Sequence, residues 1–405
     1  MASDKNASTK IDTILTVAGR DPGNNHGVVN PPVYHASTII FPTLADQEKA
    51  SHDPLNHITY GRSGTPTQHA LEEVMSQLEG AHRTVAVPSG LAAITGAMMP
   101  FVSAGDHMLI SDSAYGPTRR FALNILKRFG VETTFFDPLM GEEIERLVQP
   151  NTKLFYVEAP GSLTFEMQDI PALSKVAHKH GAVVVADNTW ATPVYCQPIK
   201  LGADIVVHAG TKYVVGHSDA MMGLICCNSE TTYAAVKNTC SMLGFHAAPD
   251  DSYLALRGLR TLAVRLRRHE QSALEIARWL KTRPEVAKVL HPALPDCPGH
   301  EIWKRDFTGS SGLFAFILKD GYSKPAIAAM VDHMKLFGIG YSWGGYESLM
   351  IHAHPEVFRT AMPWPTEKTV IRVHIGLDDV GDIKADLAAG FERMAKANQT
   401  ASAAE

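Results

Sequence analysis

Lys212 lies in His208-Ala209-Gly210-Thr211-Lys212-Tyr213, directly after the apolar run Ala203-Asp204-Ile205-Val206-Val207. A second apolar run, Ala182-Val183-Val184-Val185-Ala186, ends in Asp187-Asn188-Thr189-Trp190. Read as strands, the two runs deliver an amine and a carboxylate to neighbouring strand ends, where doubly wound sheets bind their ligands. An acid and a lysine so placed are the pair that pyridoxal 5'-phosphate (PLP) needs. The lysine forms the Schiff base and the carboxylate partners the pyridinium nitrogen. A lone lysine after a strand is more often just solvated, so the assignment depends on the residues around it.

PLP also carries a phosphate, and a glycine turn feeding a helix N-terminus offers that anion N–H groups and the positive end of a dipole. Ser89-Gly90-Leu91 has this form, and Thr211 adds a hydroxyl beside Lys212. Tyr60-Gly61-Arg62 places a phenol near a guanidinium, a pairing suited to phosphate. Tyr115 follows Leu109-Ile110-Ser111 and falls at another strand end, where it could stack on a cofactor ring. Arg372 sits in Val370-Ile371-Arg372-Val373-His374-Ile375. Alternation puts Ile371, Val373 and Ile375 on one face and Arg372 with His374 on the other. An arginine midway along an apolar strand needs an anion. A structural ion pair would serve, but beside PLP a substrate carboxylate held by two parallel hydrogen bonds fits better.

The elements that would position these residues alternate. Leu71, Val74, Met75 and Leu78 have helical spacing, closed by Gly80. A strand at Thr84–Val87 and a helix from Leu91 towards Met99 follow. Strand-like runs recur at 108–110, 133–136, 154–157, 183–185, 205–207 and 224–227, with helical stretches such as 171–180 between several of them. This pattern predicts a mainly parallel, doubly wound sheet. After Pro249-Asp250-Asp251 one long helix is expected to run to Lys281, capped by Asp at its start. Its face bearing Arg257, Arg260, Arg265, Arg267 and Arg268 reads as solvated or interfacial. A smaller α+β domain follows, closing on an amphipathic helix with Ile383, Leu387, Phe391 and Met394, its tail frayed after Ala397. The expected division is residues 1–60 as an arm that contributes to a neighbouring subunit's site, 61–256 as the PLP-binding domain and 257–405 as the C-terminal domain.

At 405 residues, with 45% hydrophobic and 20% charged content, the chain has the size and composition of a two-domain soluble enzyme. A net charge of −5 argues against a nucleic-acid partner. No stretch is long and apolar enough to span a membrane. The five cysteines lack CxxC spacing and read as reduced, mostly buried thiols of a cytoplasmic protein. The 19 histidines form no HExxH, and no metal is expected.

Together these residues resemble the Cys/Met-metabolism family of fold-type I PLP enzymes, over nearly the whole chain. The carrying motifs are Asp187-Asn188-Thr189-Trp190, Thr211-Lys212-Tyr213-Val214-Val215-Gly216-His217-Ser218-Asp219, Arg257-Gly258-Leu259-Arg260-Thr261-Leu262 and Tyr341-Ser342-Trp343-Gly344-Gly345-Tyr346-Glu347-Ser348. The resemblance implies Lys212 as the Schiff-base lysine, Asp187 as the pyridinium partner and Tyr115 as the stacking residue that assists proton movement. It implies Gly90, Leu91 and Thr211 as phosphate ligands, with Tyr60 and Arg62 supplied by the neighbouring subunit. Ser342 and Arg372 would hold the substrate α-carboxylate. Synthases and γ-lyases of the family carry Glu where Tyr341 stands and a small aliphatic residue where Trp343 stands, so Tyr341-Ser342-Trp343 looks like the bacterial β-lyase form. Many relatives have Ser in place of Ala209. The resemblance thus implies a carbon–sulfur β-lyase that cleaves the thioether L-cystathionine to L-homocysteine, pyruvate and ammonia, working as a homotetramer of two dimers. The alternatives are γ-synthase or γ-lyase chemistry, a cysteine-conjugate β-lyase, and a PLP-binding regulatory protein.

Overall fold

The computed structural model describes residues 9–402, with twelve strands in two sheets. The first sheet uses β1 (Arg83–Val87), β2 (His107–Ser111), β3 (Glu132–Phe136), β4 (Thr152–Glu158), β5 (Val183–Asp187), β6 (Ile205–His208) and β7 (Gly223–Cys227), in the order β1-β7-β6-β5-β4-β2-β3. Only β7 runs antiparallel to its neighbours, β1 and β6. The other six strands point the same way, so their C-terminal ends meet along one edge. Buried apolar clusters cover both faces of this sheet, which is why its strands read as continuous apolar runs.

The second sheet holds β8 (Val286–Leu290), β9 (Leu313–Leu318), β10 (Gly338–Ile339), β11 (Leu349–Ala353) and β12 (Val370–His374), in the order β10-β11-β12-β9-β8. Ile371, Val373 and Ile375 join the apolar cluster on one face of it, as alternation requires. The closing helix, Val380–Ser402, buries Ile383, Leu387, Phe391 and Met394 there and continues past the expected fraying point at Ala397. Leu313, Ala315, Ile317 and Val370 join the large sheet's cluster, so the two sheets share apolar packing.

The helices expected around residues 71–78, from Leu91 and over 171–180 are present, whereas the one after Pro249 differs. Pro66–Glu79 starts with a capping box at Thr65 and Gln68 and ends at Gly80 in the left-handed region. The single long helix to Lys281 is instead two, Pro249–Leu259 and Leu262–Leu280. Asp250 and Asp251 lie in the first turn rather than at the cap, which is Ala248. The break has a tertiary cause. Arg265 is buried and donates to the carbonyls of Gly258 (2.7 Å) and Tyr213 (2.9 Å). One guanidinium therefore satisfies the first helix's free C-terminal end and ties it to the turn after Lys212. A side chain at Gly258 would fall 2.3 Å from the Val214 carbonyl oxygen, so only glycine permits this approach.

The arginine face is correspondingly not one solvated stripe. Arg260 donates to the carbonyls of Leu15 and Ala18, and Arg267 grips Asp12 at 2.6 and 2.7 Å. These contacts hold the N-terminal segment, which contains the helices Ile11–Val17 and Leu44–His52 as well as extended chain. All five cysteines are buried free thiols. No helix among the described residues is long and apolar enough to cross a membrane.

Candidate active site

The C-terminal ends of β1, β2, β4, β5 and β6 open into a cavity of about 250 Å³. Its lining includes Gly90, Leu91, Tyr115, Asp187, Thr211, Lys212, Tyr341, Trp343 and Arg372. Nine residues singled out from the sequence thus converge from positions 90 to 372, and Ser342 reaches the cavity through its bond to Lys212.

Lys212 Nζ donates to Ser342 Oγ at 2.9 Å and lies 5.4 Å from the centre of the Trp343 ring. Burial, reinforced by the charge of Arg372, lowers its pKa from 10.5 to about 8. The amine is therefore far more often neutral and nucleophilic than a surface lysine.

Asp187 ends β5 and is held from three directions. The Thr189 N–H (2.9 Å) and hydroxyl (2.5 Å) donate to Oδ1, and the Tyr156 hydroxyl donates to Oδ2 at 3.2 Å. Burial raises its pKa. Its register partner at the end of β4 is Glu158, a residue the sequence reading passed over. Glu158 accepts the Tyr115 backbone N–H at 2.7 Å. Burial first, and then the charge of Asp187, push the Glu158 carboxyl well above its ordinary range. Two buried carboxyls at adjacent strand ends share out their protons unequally. The three donors around Asp187 favour its charged form, leaving Glu158 as the proton carrier. The strand-end logic that selected Asp187 applied equally to Glu158, which closes the run Leu154–Val157.

Arg372 is 8% exposed, and burial lowers its pKa to about 10. Its Nη2 donates to the carbonyls of Gly340, Tyr341 and Ser342 at 3.1–3.2 Å. Its Nε is buried without a partner among the described residues. The guanidinium thus supports the Tyr341-Ser342-Trp343 segment with one edge and keeps a donor in reserve. An orphan donor on a buried cation, beside a lysine, calls for a carboxylate.

Ser89 caps the helix Gly90–Met98, its hydroxyl accepting the Ala92 N–H at 3.1 Å. The first N–H groups of that helix, at Gly90 and Leu91, have no acceptor within it. A Cβ on Gly90 would lie 2.5 Å from the Ala209 methyl, so the cradle keeps its shape only with glycine there. The Thr211 hydroxyl donates to the Met222 carbonyl at 3.1 Å and accepts the Met222 N–H at 2.9 Å, which fixes the turn that carries Lys212. Tyr115, at the N-cap of the helix Gly116–Asn124, is half exposed, and burial of its hydroxyl raises the phenol's pKa.

Tyr60 and Arg62 do not line this cavity. Tyr60 is 48% exposed, and Arg62 donates to the Ser241 carbonyl at 2.6 Å in its own chain. Beneath the site lies a packing of rings that no local pattern announced. Tyr213 packs against His269, Trp343 and His374, with ring centres 5.4–5.8 Å apart. Burial drops the His269 pKa to about 4 and that of His374 to about 3, so both are neutral.

The groups present fit PLP: an anion cradle, a lysine of lowered pKa, a buried carboxylate and an unpaired cation for a substrate. The model of the Cys/Met metabolism PLP-dependent enzyme family matches residues 12–392, and the chain belongs to that family. PLP is its cofactor.

The relatives narrow the class. A Rhizobium johnstonii protein provisionally named a cystathionine β-lyase is 53% identical over 94% of this chain and 96% of its own length. The cystathionine β-lyase of Escherichia coli K12 is 43% identical over 96% of this chain and 100% of its own. The solved cystathionine γ-synthase of Xanthomonas oryzae pv. oryzae, in complex with aminoacrylate and cysteine, superposes with a TM-score of 0.88 at 30% identity. That match covers 96% of this chain and 99% of the other.

Proposed function

We propose that this chain is a PLP-dependent carbon–sulfur β-lyase that converts L-cystathionine and water to L-homocysteine, pyruvate and ammonia. The observation that carries the reading is the convergence of Lys212, Asp187 and Arg372 on one cavity, with Lys212 bonded to Ser342 between the Trp343 ring and the strand ends. Bound PLP supplies the electron sink that lets the Cα–H bond break.

The remaining steps belong to the protein. Lys212 would hold the cofactor, with Gly90, Leu91 and Thr211 at its phosphate, and Asp187 would keep its ring nitrogen protonated. Arg372 and Ser342 orient the substrate α-carboxylate, so that Cα faces the freed Lys212 amine. Lys212 then removes the α-proton, a general-base role worth roughly 10²–10⁴-fold for a well-placed group. The Cβ–S bond breaks, sulfur leaves as homocysteine thiolate, and water hydrolyses the remaining three-carbon fragment to pyruvate and ammonia. Tyr115, its phenol kept protonated by burial, would stack on the cofactor ring.

Tyr341 and Trp343 favour this β-chemistry over γ-chemistry. A γ-reaction needs a second proton taken from Cβ. The Trp343 ring, fixed against Tyr213, restricts the room and the motion of the lysine that would take it. Tyr60 and Arg62 complete the phosphate site of a neighbouring subunit in a cytoplasmic homotetramer built from two dimers.

Lys212→Ala tests the assignment. The variant should lose both the visible absorbance of lysine-held PLP and pyruvate production from L-cystathionine. Wild-type pyruvate production by the variant would contradict the role of Lys212.

A further inference from the structure

A second cavity, of about 600 Å³, adjoins the first and shares Tyr115, Tyr341 and Arg372 with it. Its far wall is formed by the start of the helix Gly116–Asn124 and by the segment around Phe358. Gly116 and Arg120, one turn apart on that helix, both line it. A Cβ on Gly116 would touch the Phe358 ring at 3.0 Å. The two walls are therefore in contact at that point.

Apart from Arg372, the charged groups around this cavity are committed among the described residues, with one exception. Asp112 is fully buried, paired with Arg119 at 2.9 Å and Arg359 at 3.1 Å, and it also accepts the N–H groups of Thr360 and Met362. Arg359 additionally meets Glu166 at 2.8 Å. His354 bonds Glu356 at 2.8 Å, and His352 packs on the His354 ring. Arg119 points inward and covers Phe135. Its neighbour Arg120 is turned the other way, into the cavity, and makes no hydrogen bond or ion pair among the described residues. Arg120 lines the same cavity as Tyr115, Tyr341 and Arg372, which places it near the reacting centre.

Resting on the lyase reading, we propose that Arg120 is a specificity residue that binds the distal carboxylate of the thioether, the one on the arm beyond sulfur. Arg372 takes the proximal carboxylate, so the substrate spans two arginines: one buried and pre-oriented, the other exposed and free to close on its anion. This arrangement selects thioethers ending in an acid over those ending in an amine or an alkyl group.

The test compares three substrates with the holoenzyme: L-cystathionine, S-(3-carboxypropyl)-L-cysteine, which lacks the distal ammonium, and S-(3-aminopropyl)-L-cysteine, which lacks the distal carboxylate. Pyruvate formation is measured for the wild type and for Arg120→Gln, Arg120→Lys and Arg120→Glu. Arg120→Gln should lower kcat/KM on the two carboxylate-bearing substrates by about fivefold or more, mostly through KM, as expected for losing a charge-assisted bond at a partly solvated site. The aminopropyl substrate should be much less affected. Arg120→Lys should recover most of the loss, and Arg120→Glu should reverse the preference in favour of the amine. Equal losses on all three substrates, or no loss on any, would overturn the proposal. If the wild type makes pyruvate from none of them, the lyase reading fails, and this proposal with it.

Discussion

Replacing Arg372 by leucine should cost this enzyme its hold on the substrate while leaving its hold on the cofactor. The guanidinium offers a substrate carboxylate its side-on fork, Nε, which has no partner among the described residues, together with Nη2, whose bonds to three carbonyls are long at 3.1–3.2 Å. Two charge-assisted hydrogen bonds at about 1.5–3 kcal/mol each give roughly 3–6 kcal/mol for the bidentate contact. Truncating one partner of a buried charge pair costs a similar ~2–5 kcal/mol, so kcat/KM for L-cystathionine should fall by about 30-fold to several thousand-fold. Part of that loss is indirect. Leucine also leaves the carbonyls of Gly340, Tyr341 and Ser342 without their donor, and Ser342 is the partner of Lys212. The assay is steady-state pyruvate formation, with cofactor content read from visible absorbance. Arg372→Lys separates the effects: it retains a cation without the fork and should fall between wild type and Arg372→Leu. A substrate analogue whose α-carboxylate is replaced by a neutral amide supplies the control, because wild type and Arg372→Leu should differ on it only by the indirect part of the loss. If Arg372→Leu turns over L-cystathionine within about threefold of wild type, Arg372 only braces the 340–342 segment, and the substrate carboxylate is bound elsewhere.

Three further outcomes follow from the site. A pKa of about 8 at Lys212 means that PLP capture by the cofactor-free protein should speed up about tenfold per pH unit below 8 and level off above it. Stopped-flow absorbance across pH 6–11 checks this, and levelling only near 10.5 would contradict the effect of burial. Arg62→Ala should weaken PLP retention, and mixing it with inactive Lys212→Ala subunits should restore part of the activity, because hybrid dimers contain one intact site. No recovery on mixing, alongside full activity as a monomer, would show that sites are not shared. Trp343→Ala should mainly raise KM for L-cystathionine and affect smaller β-thioethers less, while Tyr341→Glu with Trp343→Leu should lower β-elimination, as chromatography of the keto acids would reveal.

The sequence made legible what strand ends and alternation control. Lys212, Asp187 and Tyr115 each close an apolar run, and Arg372 breaks one, so all four stood out before any contact was known. Glu158 stood in an equally readable place and was passed over. Other features depend on partners far along the chain. The helix break at Arg260-Thr261 exists because Arg265 answers the carbonyls of both Gly258 and Tyr213, a tertiary contact that no local propensity encodes. The arginines of that segment read as a solvated or interfacial face because spacing reveals periodicity but not what lies opposite. In the fold they reach the carbonyls of Leu15, Ala18 and Tyr213. His374 was legible on the face of Arg372, but its pairing with His269 was not: 105 residues apart in sequence, their rings lie 5.1 Å apart beneath Lys212.

The most direct test of the account is the identity of the keto acid. Purified holoenzyme, given L-cystathionine, should release pyruvate and homocysteine in equal amounts, because the bond that breaks is the one between Cβ and sulfur. Release of 2-oxobutyrate and cysteine instead would contradict β-elimination and place the chain among the γ-enzymes of its family.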